Sequence, residues 1–144
     1  IAAMAAGAGS AVAVDVDAHA AAAIGLNARA NGRRISVVRR DKHDESPPDV
    51  DVILVGDCWY EADFARRVSR WLRRAHAAGI EVLAGDPGRA YLPTDELVEL
   101  AAYEVRTTTE LEDLDHKVAR VYAVTGPGIP DRPKVAESVE PVGS

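Results

Sequence analysis

Apolar residues in this chain fall into short blocks set between polar turns, interrupted by longer stretches of helical period. The sharpest block is Val52-Ile-Leu-Val55 with the small Gly56, rich in β-branched side chains and stopping abruptly at Asp57. So short and continuous a run predicts a strand buried on both faces, as in a parallel sheet covered by helices. Similar blocks predict strands at Ala11–Val14, Ile35–Val38, Ile80–Ala84, Tyr103–Thr108 and Val118–Val124. Between them, Asp17 is placed to cap a helix over Ala18–Ala30, with Asn31-Gly32 as its stop. From Glu61 to Ala78 the residues Tyr60, Phe64, Val68, Trp71, Leu72 and Ala75 recur at spacings of three and four and predict an amphipathic helix ended by Gly79. Thr94 reads as the cap of a further helix over Asp95–Ala102, with Leu97, Leu100 and Ala101 facing inward.

Ile1–Ala6 reads as the last turns of a helix closed by Gly7 and Gly9, since glycine adopts a left-handed cap cheaply. Asp41–Asp51, with Ser46-Pro47-Pro48, reads as a polar loop, Gly85–Arg89 as a tight turn, and the acidic run Glu110–Asp115 as a loop. The alternation of strands and helices predicts an α/β domain with right-handed crossovers and a parallel core over residues 1–125. Residues 126–144 carry four prolines and no periodicity, and are expected to form a disordered tail.

Composition narrows the function. A net charge of −6 and a pI near 5.2 argue against nucleic acid as the main partner. The arginines at 66, 67, 70, 73 and 74 read as a solvated helix face. No apolar stretch approaches the roughly 20 residues that span a bilayer. The single Cys58 rules out an internal disulfide and fits a reducing cytoplasm.

The chemistry gathers where strands end. Asp15, Asp41 and Asp57 follow three predicted strands, and Asp86 follows a fourth. In open α/β sheets the ligand crevice lies beyond the carboxyl ends of the strands, so these acids are expected along one rim. An acid there can accept hydrogen bonds from both ribose hydroxyls of a nucleotide. The plainer alternative is that each caps a helix or turn, with Trp59 and Tyr60 as core and Arg89 tied to a loop carbonyl. A dinucleotide-binding dehydrogenase is disfavoured, because no Gly-x-Gly-x-x-Gly is present and Gly7-Ala-Gly9 precedes a strand instead of following one. Asp15-Val-Asp17 resembles the Asp-x-Asp of haloacid-dehalogenase phosphatases, but His19 stands where that motif continues to threonine.

Taken together, Asp15-Val-Asp17-Ala-His-Ala20, Leu26-Asn27 and Asn31-Gly32 resemble the second strand and helix of class I S-adenosylmethionine-dependent methyltransferases. Val55-Gly-Asp-Cys-Trp-Tyr60 resembles their motif after the fourth strand. With Gly85-Asp-Pro-Gly-Arg-Ala-Tyr-Leu-Pro93 and Glu110-Leu-Glu-Asp113, the chain is similar to bacterial relatives of the electron-transfer-flavoprotein β-subunit lysine methyltransferase. That branch is often labelled ribosomal-protein or nicotinamide N-methyltransferase-like. The resemblance implies a Rossmann-like doubly wound sheet and S-adenosyl-L-methionine as cofactor. It implies Asp15 on the ribose and Asp41 near the adenine. Asp57 and Tyr60 would be catalytic, while Trp59, Asp86 and Arg89 would line the acceptor pocket. The implied partner is a protein carrying a lysine, such as a flavoprotein subunit or a ribosomal protein. No metal is implied.

One departure is large. The family's sheet opens with a strand and a glycine-rich loop ahead of the segment at which this chain starts, and that strand lies between those at Ala11 and Val52. A form without it is expected to bind the cofactor poorly. The alternative function is a non-catalytic Rossmann-like remnant serving as an interaction module.

Overall fold

The computed structural model describes residues 1–106 and 116–126. The acidic run at 110–115 and the tail from 127 onward lie outside the described residues. The chain divides into two compact units at the Ser46-Pro47 bond.

The first unit carries helix α1 (Ala2–Ala5), strand β1 (Val12–Val14), helix α2 (Ala18–Ala30) and strand β2 (Ser36–Val38). Helix α2 has the predicted bounds because both ends are written locally. Asp17 has an extended backbone and its carboxylate accepts from the His19 N–H at 2.6 Å, while Gly32 takes a φ of 62° just past the Asn31 cap. β1 and β2 pair in parallel, Val12 opposite Ser36 and Val14 opposite Val38.

The second unit holds β3 (Val52–Gly56), α3 (Ala62–Ala77), β4 (Glu81–Asp86), a 3₁₀ turn (Thr94–Glu96), β5 (Leu97–Arg106) and β6 (His116–Val124). Its sheet runs in the order β3-β4-β6-β5. β3 and β4 are parallel, whereas β6 runs antiparallel to both β4 and β5. The predicted stripe of α3 becomes its buried face: Ala65, Val68, Leu72 and Ala75 pack with Val82 and Ala84 of β4 and with Tyr122 and Val124 of β6. At the helix end Gly79 takes a φ of 88° and lets the chain turn straight into β4.

Two sequence expectations fail here. Residues 97–102 are strand, not helix. β5 pairs along its length with β6, but a bulge between Glu99 and Ala101 leaves Leu100 without a register partner and exposed. That extra residue breaks the two-residue alternation and brings Leu97, Leu100 and Ala101 into a false helical spacing. β3 is also not buried on both faces. It lies at the edge of its sheet, where Ile53 and Val55 turn toward the core and Val52 and Leu54 remain exposed.

Candidate functional site

The geometry of the second unit concentrates at the carboxyl ends of β3 and β4. The register sets Gly56 opposite Gly85, so the chains leave the two strands side by side. The Asp57 N–H donates to the Gly85 carbonyl at 2.9 Å. At that point the backbone of Asp57 swings to a φ of 52°, the left-handed region that among side-chain-bearing residues favours Asn and Asp. Such a conformation costs about 1–2 kcal/mol and is held by its surroundings.

The Asp57 side chain is met by Arg89. The guanidinium forks onto the carboxylate, Nε to Oδ1 at 2.6 Å and Nη2 to Oδ2 at 2.8 Å. Arg89 is itself set by Asp86, whose Oδ1 accepts from the backbone N–H groups of Gly88 and Arg89, both at 2.7 Å. Gly88, with a φ of 96°, permits that turn. Asp86 is only 1% exposed, and its Oδ2 is buried without a hydrogen-bond partner among the described residues. The expectation that Asp86 lines a binding mouth therefore does not hold. It is the buried strut under Arg89, as an acid beginning a tight turn readily becomes.

Trp59 is also displaced from its expected role. The side chain is 0% exposed, and its indole N–H donates to Ser69 Oγ on α3 at 3.0 Å. The Trp59 carbonyl accepts from the Tyr91 N–H at 3.3 Å, which ties the β3–α3 connection to the loop beyond Arg89. Trp59 is thus an anchor beneath the site, not a pocket wall. Ser69 escaped notice in the sequence, although a hydroxyl between Val68 and Leu72 on the apolar face of α3 was a signal that something buried needed an acceptor. Tyr60 is the opposite case: 60% exposed, with its ring tilted 37° against Phe64 at a centroid distance of 5.8 Å.

The Arg89 hydrogen bond lowers the Asp57 pKa from its ordinary value. Any stability from the pair is therefore present above the ordinary carboxylate pKa and lost as pH falls through the lowered one. The pair is solvent-exposed, so it contributes little to folding. Arg89→Gln is expected to raise the Asp57 titration midpoint, followed by carbon NMR of the carboxyl group, while leaving the stability at neutral pH nearly unchanged. An unmoved midpoint would show that Arg89 does not govern this carboxylate. Beside it, burial and then the Asp57 charge push the Cys58 thiol up, so it stays protonated and donates to the Gly56 carbonyl at 3.3 Å.

In the first unit, Asp15 and Asp41 follow β1 and β2. The Asp15 N–H continues the ladder to the Val38 carbonyl at 3.2 Å, and its Oδ1 accepts from the Asp17 N–H at 2.9 Å. Oδ2 of this half-buried acid takes no partner among the described residues, so an acceptor remains for a hydroxyl. Asp41 is more committed, since its Oδ1 meets both the backbone N–H and Nδ1 of His43, at 2.9 and 2.8 Å. Among the described residues no group of three or more His, Cys, Asp or Glu is arranged to hold a metal. No described helix is long and apolar enough to cross a membrane.

No protein-family model matches the chain. Over 67 residues it is 36% identical to the electron transfer flavoprotein beta subunit lysine methyltransferase of Xenopus laevis, covering 43% of this chain and 27% of that protein. The chain thus matches about a quarter of that relative's length. Among solved structures it resembles the N-methyltransferase NodS of Bradyrhizobium japonicum WM9, crystallised with S-adenosyl-L-homocysteine. The TM-score is 0.54 at 16% identity, over 80% of this chain and 66% of NodS. A protein from Pyrococcus horikoshii OT3 gives 0.52 at 11% identity, over 80% and 71% of the two chains. The fold is the Rossmann-like one of class I methyltransferases. Its strands appear here as β2-β1 and β3-β4-β6-β5, with β1 paired only to β2 and β3 only to β4 among the described residues.

Proposed function

We propose that this chain is part of an S-adenosylmethionine-dependent N-methyltransferase acting on a lysine side chain of a protein. The observation that carries the reading is the Asp57–Arg89 pair, a carboxylate raised at the end of β3 by a left-handed backbone and already holding a cationic nitrogen group. The lysine assignment is supported by the 67-residue likeness to a lysine methyltransferase.

S-adenosylmethionine, when bound, supplies an electrophilic methyl group on a sulfonium. Asp15 suits the ribose, because it keeps one acceptor oxygen at a strand's carboxyl end. Asp41 is assigned to the adenine side, where its pairing with His43 makes it a loop brace as much as a ligand. The acceptor nitrogen must be neutral to attack. With its pKa lowered, Asp57 is a poor base, so its work is to exchange Arg89 for the incoming amine and orient that amine while solvent takes the proton. The exposed Tyr60 ring offers an aromatic face to the methylated cation. A form without the family's first strand and glycine-rich loop is weakened toward the cofactor.

Methyl transfer is tested with methyl-labelled S-adenosylmethionine and a lysine-rich polypeptide, using a form that carries that strand and loop. The expected product is methyl-lysine on acid hydrolysis. Asp57→Asn is expected to lower kcat/KM about tenfold, the worth of one charge-assisted hydrogen bond. Label on a residue other than lysine would overturn the acceptor. An unaffected Asp57→Asn would overturn its role.

A further inference from the structure

The first unit has a concavity at the end of the sheet opposite Asp15 and Asp41. It is an open hollow of about 430 Å³ where the chain enters β1 and β2. Arg33, Arg34, Ser10 and Ser36 supply its polar groups, and Met4 and Ile35 contribute apolar surface. Asp15 lies four residues beyond Ala11, roughly 13 Å along an extended strand, so this hollow is separate from the expected cofactor end.

Its lining is basic in an acidic protein. The chain carries a net −6, and Arg40, Arg66, Arg73, Arg89 and Arg120 all meet carboxylates. Arg33 and Arg34 meet none among the described residues, as is also true of Arg29, Arg39 and Arg70, but no acid lines the hollow. All five acids of the first unit lie at or beyond the carboxyl ends of β1 and β2: Asp15, Asp17, Asp41, Asp44 and Glu45. Arg39, Arg40 and Lys42 share that end with the acids, so what sets the hollow apart is that it has basic residues and no acid.

We propose that this hollow binds a phosphomonoester whose phosphate sits between Arg33 and Arg34 and whose organic part rests on Met4 and Ile35. A phosphomonoester carries a charge of about −1.5 to −2 near neutral pH, which two guanidinium groups match. Each guanidinium presents a planar fork that fits two phosphate oxygens, and the hydroxyls of Ser10 and Ser36 supply further donors. A carboxylate has one charge and two oxygens, and leaves part of this donor set unused. The volume falls within the usual range for small-ligand sites of about 300–1,000 Å³, more than a bare phosphate fills. The proposal is independent of the methyltransferase reading, because it uses neither Asp15 nor Asp57.

The test follows backbone amide NMR shifts of this chain at low salt during titration with phenyl phosphate, inorganic phosphate and benzoate. Phenyl phosphate is expected to give saturable shifts at residues 9–11 and 32–36, and to bind more tightly than either of the others. The double variant Arg33→Gln/Arg34→Gln alters two exposed side chains and so keeps its fold, checked by its own amide spectrum. It is expected to lose at least about tenfold in affinity, as removal of charge-assisted hydrogen bonds predicts. A phosphoserine peptide in a parallel titration separates the sources: tighter binding than phenyl phosphate assigns the phosphate to a modified protein, weaker binding to a small metabolite. Shifts spread over all basic residues, equal affinity for benzoate, or an unaffected double variant would each overturn the proposal.

Discussion

Trp59→Ala is expected to destabilise the second unit by about 3–5 kcal/mol, the range for emptying a buried aromatic site. The side chain is fully enclosed by α3, β4 and the closing strand β6, so the space it leaves cannot be filled by solvent without wetting Val68, Leu72 and Val82. The loss is large beside the 5–15 kcal/mol or so that holds a typical domain together. Urea denaturation measures it. Trp59→Phe separates two contributions: it keeps most of the volume but leaves Ser69 Oγ buried without its donor, an expected cost of about 1–3 kcal/mol. Tyr60→Ala, one residue along and mostly exposed, is expected to be nearly neutral to stability. Equal costs at positions 59 and 60 would contradict the description of one as anchor and the other as surface.

The contrast also shows what the residues disclosed unaided. Cys58-Trp59-Tyr60 reads as a single aromatic motif after a strand, and nothing in its letters says which ring turns inward. That depends on the left-handed backbone at Asp57, which redirects the chain, and on Ser69 ten residues away. The strand ends themselves were legible, because β-branched blocks stop at acids. Helix α2 was legible to the residue, because its cap and its stop are local. β5 was not legible, because its state is fixed by β6, whose paired residues follow about twenty positions later, and because the bulge at Leu100 disguises its period. The parallel pairing of β3 with β4 followed from the strand–helix alternation, whereas the antiparallel return of β6 did not.

The same reasoning separates the acids. Asp15, Asp41 and Asp57 follow strands as expected, Asp86 is the last residue of β4, and in the second unit Asp57 and Asp86 converge on one arginine from side chain and backbone respectively. A single letter could not distinguish the exposed partner from the buried strut. That distinction comes from the turn at Gly88, which places two N–H groups over the Asp86 carboxylate.

Central to the proposed function is that the carboxylate after β1 helps to hold a methyl donor. Each sheet retains a strand paired on one side only among the described residues, and Val12, Val14, Val52 and Leu54 on those strands are exposed. In the class I methyltransferases that this chain resembles, the first strand carries the glycine-rich loop. A form carrying that strand and loop is therefore expected to bind S-adenosylmethionine more tightly than a form without them. Asp15→Ala in the longer form removes the acceptor oxygen proposed for the ribose. At about 1.5–3 kcal/mol for a hydrogen bond to a charged group, affinity is expected to fall about 10- to 100-fold. Calorimetric titration of the longer form, with and without Asp15→Ala, reads this directly. One cofactor per chain, with the loss confined to the variant, is the predicted result. Failure of the longer form to take up the cofactor, or affinity indifferent to Asp15, would contradict the account and favour a fold kept for interaction without catalysis.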